Sequence, residues 1–520
     1  MHVTPDVRKA TGYVFISLSA IFVFWTATTH CFATNYWFME PDPTYAYLLN
    51  GLNIATLQSV GHTDHPGTVL QILCAILLRL FYFFSPDAGS HSIVQSVLAN
   101  PEWYLKNLYI SIFVLQSAIL AIVAAWVWSS FNNIPMLVVI LGGLFVIPEL
   151  IPMQASTLRP EILIPSLLLL LTLVTLKRWR EDTLSPVTPS RHLALGTGAL
   201  TGLAFFTKAT CFPIFCVTFF FWKDWKSKRY YLVGFASIAL MCLPFIWSSL
   251  GPTIKWFALL ALRDGHYGSG STTILSPSLF YTNMITIVSS NTVTVALLVL
   301  TFIGLFVFRN ERHSFFWKIS TLFILSITTI ILLAAKHYSP HYLIAIYMPT
   351  YFIPFLYLSQ GKKLNVVTIS CIAYLLIIFS SCNKLYNKYI TIINSDFSVK
   401  NFYYEDKYFK EKNIVESYNT FTITYALGFG NDFSRNKHGK ILRSMYPNVF
   451  MYCIWSKRFH HFGGRVSLEE ILLSERTAII RGTNLKRHAD GYGEELILGR
   501  EVLSPPEGDV VYELLGIKDK

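Results

Sequence analysis

Four side chains able to move protons or hold cations follow the first apolar run of this chain. Glu40 and Asp42 lie in Trp37-Phe-Met-Glu40-Pro-Asp42-Pro-Thr-Tyr45-Ala-Tyr47, and Asp64 and His65 in Thr63-Asp64-His65-Pro66-Gly67. Carboxylates beside a hydrocarbon slab are costly unless solvated, paired or used. Asp42 suits a general base, with Glu40, Asp64 or His65 assisting it or binding a cation. The same residues also suit a solvated turn broken by Pro41 and Pro43.

Four further groups carry charge near apolar segments. Glu149, Arg159 and Glu161 flank a helix mouth that opens on Pro160, where an Arg and a Glu make a salt bridge or a site. Lys208 sits in Phe206-Thr207-Lys208-Ala209-Thr210 between two short apolar arms. A buried lysine needs an anion, and a phosphate is one option. Lys336-His337-Tyr338-Ser339-Pro340-His341-Tyr342 reads either as an interfacial aromatic belt or as a cationic clamp. The Gly-rich run Arg263–Ser271 reads as a flexible cover.

The composition says what must position these groups. Of 520 residues, 53% are hydrophobic and only 14% charged, against about 25% charged in a soluble domain. That balance and the repeated long apolar runs place the chain in a membrane. The net charge of +12 does not point to nucleic acid, because Lys and Arg concentrate in short loops between apolar runs. The eight cysteines show no CxxC or zinc spacing, so no disulfide framework or metal cluster is expected from them.

Charge parity orders the runs. Those expected are 11–33, 66–84, 107–130, 134–152, 161–176, 192–207, 210–222, 230–249, 286–308, 319–335, 341–358 and 364–382. The loops rich in Lys and Arg should face the cytoplasm, as should Arg8 and Lys9. Then 66–84 cannot span and should lie along the surface, with 43–58 and 91–105. The segment 192–222 must cross twice. Each arm is about 20–24 Å long at 1.5 Å per residue, against a core of about 30 Å. Its tip should therefore be buried, with Lys208 pointing into a cavity. The uncharged turn Phe131–Pro135 must lie on the cytoplasmic side. The count is about eleven transmembrane helices, N-terminus cytoplasmic. Residues 1–385 form the membrane domain, and 386–520 an extracytoplasmic soluble α/β or α+β domain. In that domain Thr420–Tyr425 and Val510–Leu515 read as strands, Asn413–Tyr418 and Val466–Ser474 as short helices, and Gly428–Asp432 as a turn.

The order of these motifs resembles the polytopic GT-C glycosyltransferases, most closely the branch of protein O-mannosyltransferases and the aminoarabinose transferase of lipid A. It rests on Asp42-Pro-Thr-Tyr45 after the first span, Asp64-His65-Pro66-Gly67, Arg159-Pro160-Glu161, Gly202-Leu-Ala-Phe-Phe-Thr-Lys208, and His341-Tyr-Leu-Ile. Relatives usually carry Arg at the place of His341, and an acidic residue where Pro43 stands. The resemblance implies Asp42 as catalytic base, and Arg159, Lys208, His341, His337, Glu161, Asp64 and His65 around a donor phosphate. It leaves open a divalent metal on Glu40 and Asp42. It implies a polyprenyl-phosphate sugar as donor, with no other cofactor, and a glycan, lipid or protein acceptor. The setting would be the inner (plasma) membrane. The rival readings are a polysaccharide ligase or polymerase and a transporter of lipid-linked sugars.

Overall fold

A computed structural model describes residues 5–33, 35–39, 41–62, 66–131, 133–142, 157–184, 190–265, 270–307, 315–350, 412–417, 422–453, 458–472, 478–482, 496–503 and 510–517. Glu40, Asp64, His65, Glu149, the run 364–382 and the later parts of 134–152 and 341–358 lie outside these residues.

The helices in chain order are α1 (Pro5–Ala33), α2 (Tyr36–Met39), α3 (Pro41–Ala55), α4 (Thr68–Phe83), α5 (Ile93–Ala99), α6 (Pro101–Phe131), α7 (Ile134–Gly142), α8 (Ile164–Leu184), α9 (Arg191–Thr207), α10 (Phe212–Cys216), α11 (Trp225–Ile246), α12 (Leu250–Leu262), α13 (Pro277–Ser290), α14 (Thr292–Val307) and α15 (Phe315–Lys336). Among the described residues, four helices are long and apolar enough to cross a membrane: Pro101–Phe131, Pro160–Glu181, Trp225–Leu262 and Trp317–Lys336. A fifth is added if α13 and α14, bent by 90° to one another, count as one span. The chain is thus a mainly helical protein with the helices of a membrane protein. Exposed Leu18, Ile21, Trp25, Leu240, Phe302 and Phe306 are in keeping with a lipid-facing outer surface.

The segment 191–222 folds back on itself. The Thr201 hydroxyl donates to the Phe215 carbonyl at 3.2 Å and lies 3.3 Å from the Thr218 hydroxyl. Tyr231 of α11 donates to the same Thr201 at 2.9 Å. Small residues let α9 and α11 touch backbone to backbone: a Cβ on Gly198 would lie 1.8 Å from the Tyr231 carbonyl, and one on Gly234 2.1 Å from that of Leu195. At the open end of this hairpin, Arg178 of α8 donates to the Phe221 carbonyl and lies over Trp222. The turn after α6 sits at this same end. Phe131 stacks on Trp179 at 5.6 Å, and Arg180 donates to Ser130. The basic residues 177–180 and the uncharged turn thus share one end of the bundle, and the hairpin tip lies at the other.

Several sequence expectations change. The surface segment 91–105 is two pieces: α5 ends at Asn100, and Pro101 opens α6. The run 286–308 is not straight. It breaks at Asn291, whose side chain bonds the Ile287 carbonyl and accepts from Tyr347. Helix runs on past residue 249 to Leu262 and resumes at Pro277, so the connection expected over 250–285 shrinks to 263–276.

The C-terminal region holds one seven-stranded mixed sheet. Its strands are β1 (Asn413–Glu416), β2 (Val449–Cys453), β3 (Arg458–His461), β4 (Gly464–Arg465), β5 (Ala478–Gly482), β6 (Leu496–Leu503) and β7 (Val510–Ile517), in the order β4-β3-β2-β1-β5-β7-β6. Its helices are α16 (Ile423–Phe433), α17 (Gly439–Met445) and α18 (Leu468–Leu472). β1 was expected to be helical. It is instead a strand buried along its whole length between parallel β2 and β5, and such strands lose the alternation that marks them in sequence. Of the expected strand Thr420–Tyr425, Thr422 caps α16 and Ile423–Tyr425 start it, the Thr422 hydroxyl accepting from the Tyr425 amide, while Thr420 and Phe421 lie outside the described residues. The expected turn Gly428–Asp432 lies inside that helix. A Cβ on Gly430 would come 2.6 Å from the Tyr45 carbonyl, so this glycine marks a close helix contact. β7 and α18 fall where a strand and a short helix were expected.

α16 packs on α3, and polar side chains fasten the seam. Asn50 donates to the Phe433 carbonyl, and Asn53 to that of Ser434. His438 is buried there, its ring bonded to the Leu49 backbone, and burial pushes it down to about 4. A neutral histidine of this kind contributes stability that is complete above its ordinary value of about 6.5 and is lost as pH falls toward 4, on the order of 3 kcal/mol in all. Asp432, pushed up to about 6 by partial burial, acts in the opposite sense. The His438 share is therefore the difference between the wild type and His438→Phe. We expect acidification from pH 7 to 4.5 to lower the melting temperature of the wild type more than that of the variant, as read by thermal unfolding in detergent. Parallel pH dependence in the two proteins would contradict this assignment.

Candidate functional site

Asp42 sits where the helical path breaks. Its backbone (φ −95°, ψ 118°) is non-helical, and its side chain is exposed. Two anchors hold the segment around it. The first is Glu102, in the first turn of α6. Its carboxylate accepts from the amides of Tyr36 (2.9 Å) and Trp37 (3.1 Å) and from the phenol of Tyr45 (2.7 Å). These partners flank Asp42 on both sides, so one carboxylate staples the loop at each end. The Tyr36 ring stacks on Tyr109 of α6 at 4.6 Å. The second anchor is Thr44, whose hydroxyl accepts from the Leu158 amide at 3.0 Å. That bond brings the Asp42 segment against the residue next to Arg159.

Arg159 precedes a 3-10 turn, Pro160–Leu163, that leads into α8 and is buried throughout. The Arg159 side chain is buried, with its Nε on the Thr157 hydroxyl. Glu161 turns to Lys208, and carboxylate and ammonium form a hydrogen-bonded ion pair. Their side chains are 5% and 1% exposed. The Lys208 ammonium also lies 5.2 Å from the centre of the Tyr342 ring. Lys208 was expected to point into a cavity and meet a phosphate. Its tip position is indeed buried, but the anion it meets in the structure is Glu161. The local backbone explains how it gets there: α9 stops at Thr207, Lys208 is extended (φ −157°, ψ 109°), and a 3-10 turn follows.

Pro66-Gly67 lies against the same tip. The Gly67 amide donates to the Thr207 carbonyl at 3.2 Å. Gly67 has φ +63°, and a Cβ there would lie 2.5 Å from the Tyr47 ring, so the position requires glycine. Pro66-Gly67, the Asp42 segment, Arg159, Glu161 and Lys208 therefore gather at one end of the bundle, opposite Arg178 and Trp222.

The stretch 336–342 divides. Lys336 donates to the Leu260 and Ala261 carbonyls, and His337 lies 3.2 Å from that of Leu260. Both bind the C-terminal end of α12, a favourable place for a cation. His341 bonds the Ser339 hydroxyl at 2.7 Å and packs on Tyr342, the residue beneath Lys208. In the Gly-rich run, Asp264 accepts from the Ser271 amide and the Ser271 and Thr273 hydroxyls. Those bonds hold Asp264 below its ordinary carboxylate range. Among the described residues, no group of three or more His, Cys, Asp or Glu side chains is placed to hold a metal ion.

Glu102 was not among the residues singled out from sequence. Its one signal is an acidic side chain in the first turn after Pro101, which by itself indicates only a helix start. A scan against protein-family models found no match for this chain, and neither did a search of curated proteins.

The ion pair makes a sharp prediction. Removing one member of a buried pair leaves an uncompensated charge, at a cost of about 3–5 kcal/mol, whereas replacing both by apolar or neutral groups costs far less. Glu161→Gln and Lys208→Met should each lower the melting temperature strongly, and the double variant should recover most of the loss. Additive losses in this double-mutant cycle would show that the two side chains do not act as a unit.

Proposed function

We propose that this chain is a GT-C-like membrane glycosyltransferase that moves a sugar from a polyprenyl-phosphate donor to an acceptor at the extracytoplasmic face of the plasma membrane. The proposed architecture is about eleven spans, with a cytoplasmic N-terminus and an extracytoplasmic C-terminal domain. The observation that carries the reading is the Thr44–Leu158 hydrogen bond. It joins the segment that carries the exposed Asp42 to the residue next to the buried Arg159, at the end of the bundle away from the basic residues 177–180. A single-displacement transfer needs that pair: a base for the acceptor, and positive charge for the leaving group.

In the proposed reaction Asp42 accepts the proton of an acceptor hydroxyl. The oxygen attacks the anomeric carbon, the bond from that carbon to the phosphate oxygen breaks, and configuration inverts. The bonding electrons leave with polyprenyl phosphate, and Arg159 is the candidate to stabilise their charge. Lys208 is already neutralised by Glu161. We therefore assign the pair to fixing the hairpin tip and the helix mouth relative to each other, a positioning role. His341 is assigned to the edge of the same group through Tyr342.

Incubation of the purified protein with labelled polyprenyl-phosphate sugars and candidate acceptors tests the proposal. Release of polyprenyl phosphate is expected from the wild type. Asp42→Asn should reduce it by about 10³-fold, the middle of the range for loss of a general base, while the protein still inserts and keeps its melting temperature. An Asp42→Asn protein as fast as the wild type would remove Asp42 from the mechanism. Movement of lipid-linked sugar across liposomes without cleavage would favour a transporter. Repeating the assay with a chelator separates metal-dependent from metal-free transfer.

A further inference from the structure

A pair of cations that meets no carboxylate among the described residues sits where the C-terminal region meets the membrane helices. Arg435 reaches the outer break of the span Trp225–Leu262. It donates to the Ser248 hydroxyl (3.2 Å), the Ser248 carbonyl (3.0 Å) and the Ser249 hydroxyl (3.0 Å). Lys437, on the same turn, donates to the Ser59 carbonyl (2.5 Å) and hydroxyl (3.2 Å). All of these acceptors are neutral. Asp432, the carboxylate on the preceding turn of chain, lies 3.8 Å from His460 instead. Among the described residues, neither Arg435 nor Lys437 meets a carboxylate. Burial and the neighbouring guanidinium together hold Lys437 below its usual range.

The neighbouring side chains fix the depth of this pair relative to the bilayer. Trp225 and Trp247 are both exposed on one helical path, 22 residues apart, or about 33 Å at 1.5 Å per residue. That is the spacing of two aromatic belts across a hydrocarbon core of about 30 Å. Trp247 adjoins Ser248, so Arg435 lies at the belt opposite the basic loops. Beside it, the loop that carries Ser59 presents Leu57 with φ +60° and 82% of its surface exposed. A leucine held in the left-handed region and turned fully outward is costly in water and well placed in a lipid interface.

We infer that the collar formed by Leu57, Trp247, Arg435 and Lys437 binds the headgroup phosphate of an anionic membrane phospholipid. Leu57 and Trp247 enter the acyl boundary, and the two cations face the phosphate. The site is independent of the sugar-transfer reading and uses none of the residues placed in that chemistry.

The test uses the full chain. Native mass spectrometry of protein released from nanodiscs of mixed phosphatidylglycerol and phosphatidylcholine should show retained phosphatidylglycerol in clear excess. Each basic residue near a membrane surface contributes roughly 1 kcal/mol to such binding, so K437Q should weaken retention about 5-fold. L57S should weaken it as well. Should R435Q or K437Q fail to fold, the wild type decides alone. Its melting temperature in detergent should rise with phosphatidylglycerol but not with phosphatidylcholine, and about 0.5 M salt should reduce that rise. Equal retention of both lipids by the wild type, or unchanged retention in folded K437Q and L57S, would overturn the inference.

Discussion

The ion pair between Lys208 and Glu161 is the constraint on which the arrangement at this end of the bundle depends. Two charges out of water are unfavourable, and their attraction offsets that cost only with close geometry. The geometry in turn requires that α9 stop short, that Lys208 be extended, and that a 3-10 turn start α8 on a buried face. An apolar contact at the same place would tolerate sliding, because dispersion has little direction. A charged pair does not, so it registers the hairpin against the helix mouth. Everything attached to these two points, from Gly67 on Thr207 to Thr44 on Leu158, inherits that register.

Glu102 does the complementary job for the Asp42 segment. Three donors on one carboxylate hold residues before and after Asp42, while Asp42 itself stays open to water. A support of this kind fixes the backbone on either side of an exposed carboxylate.

Much of this was readable from residue order alone. The apolar runs, the positive loops and their parity located the hairpin, its buried tip and the turn after α6. Arg159, Glu161 and Lys208 were legible because charges in apolar surroundings are rare. What each side chain met was not legible. Lys208 needs some anion, and sequence cannot tell a carboxylate distant along the chain from a ligand phosphate. His337 reads like His341, yet a helix end 77 residues earlier claims it. In the C-terminal sheet, β1 was misread because a fully buried parallel strand shows no alternation. Gly428 and Gly430 were misread because glycine signals a turn and a tight helix contact equally well.

The seam between α3 and α16 has a consequence for biogenesis. The Asn50–Phe433 bond joins residues 383 apart, and α3 buries Tyr45, Leu48 and Leu49 beneath a helix made much later in translation. Loop-closure entropy makes such distant pairings late events. The Asp42 segment must therefore wait, incompletely covered, until the chain has been made at least as far as α16. Completion of this end of the molecule is thus a late event in folding, and chaperones acting on nascent membrane proteins have a long opportunity here.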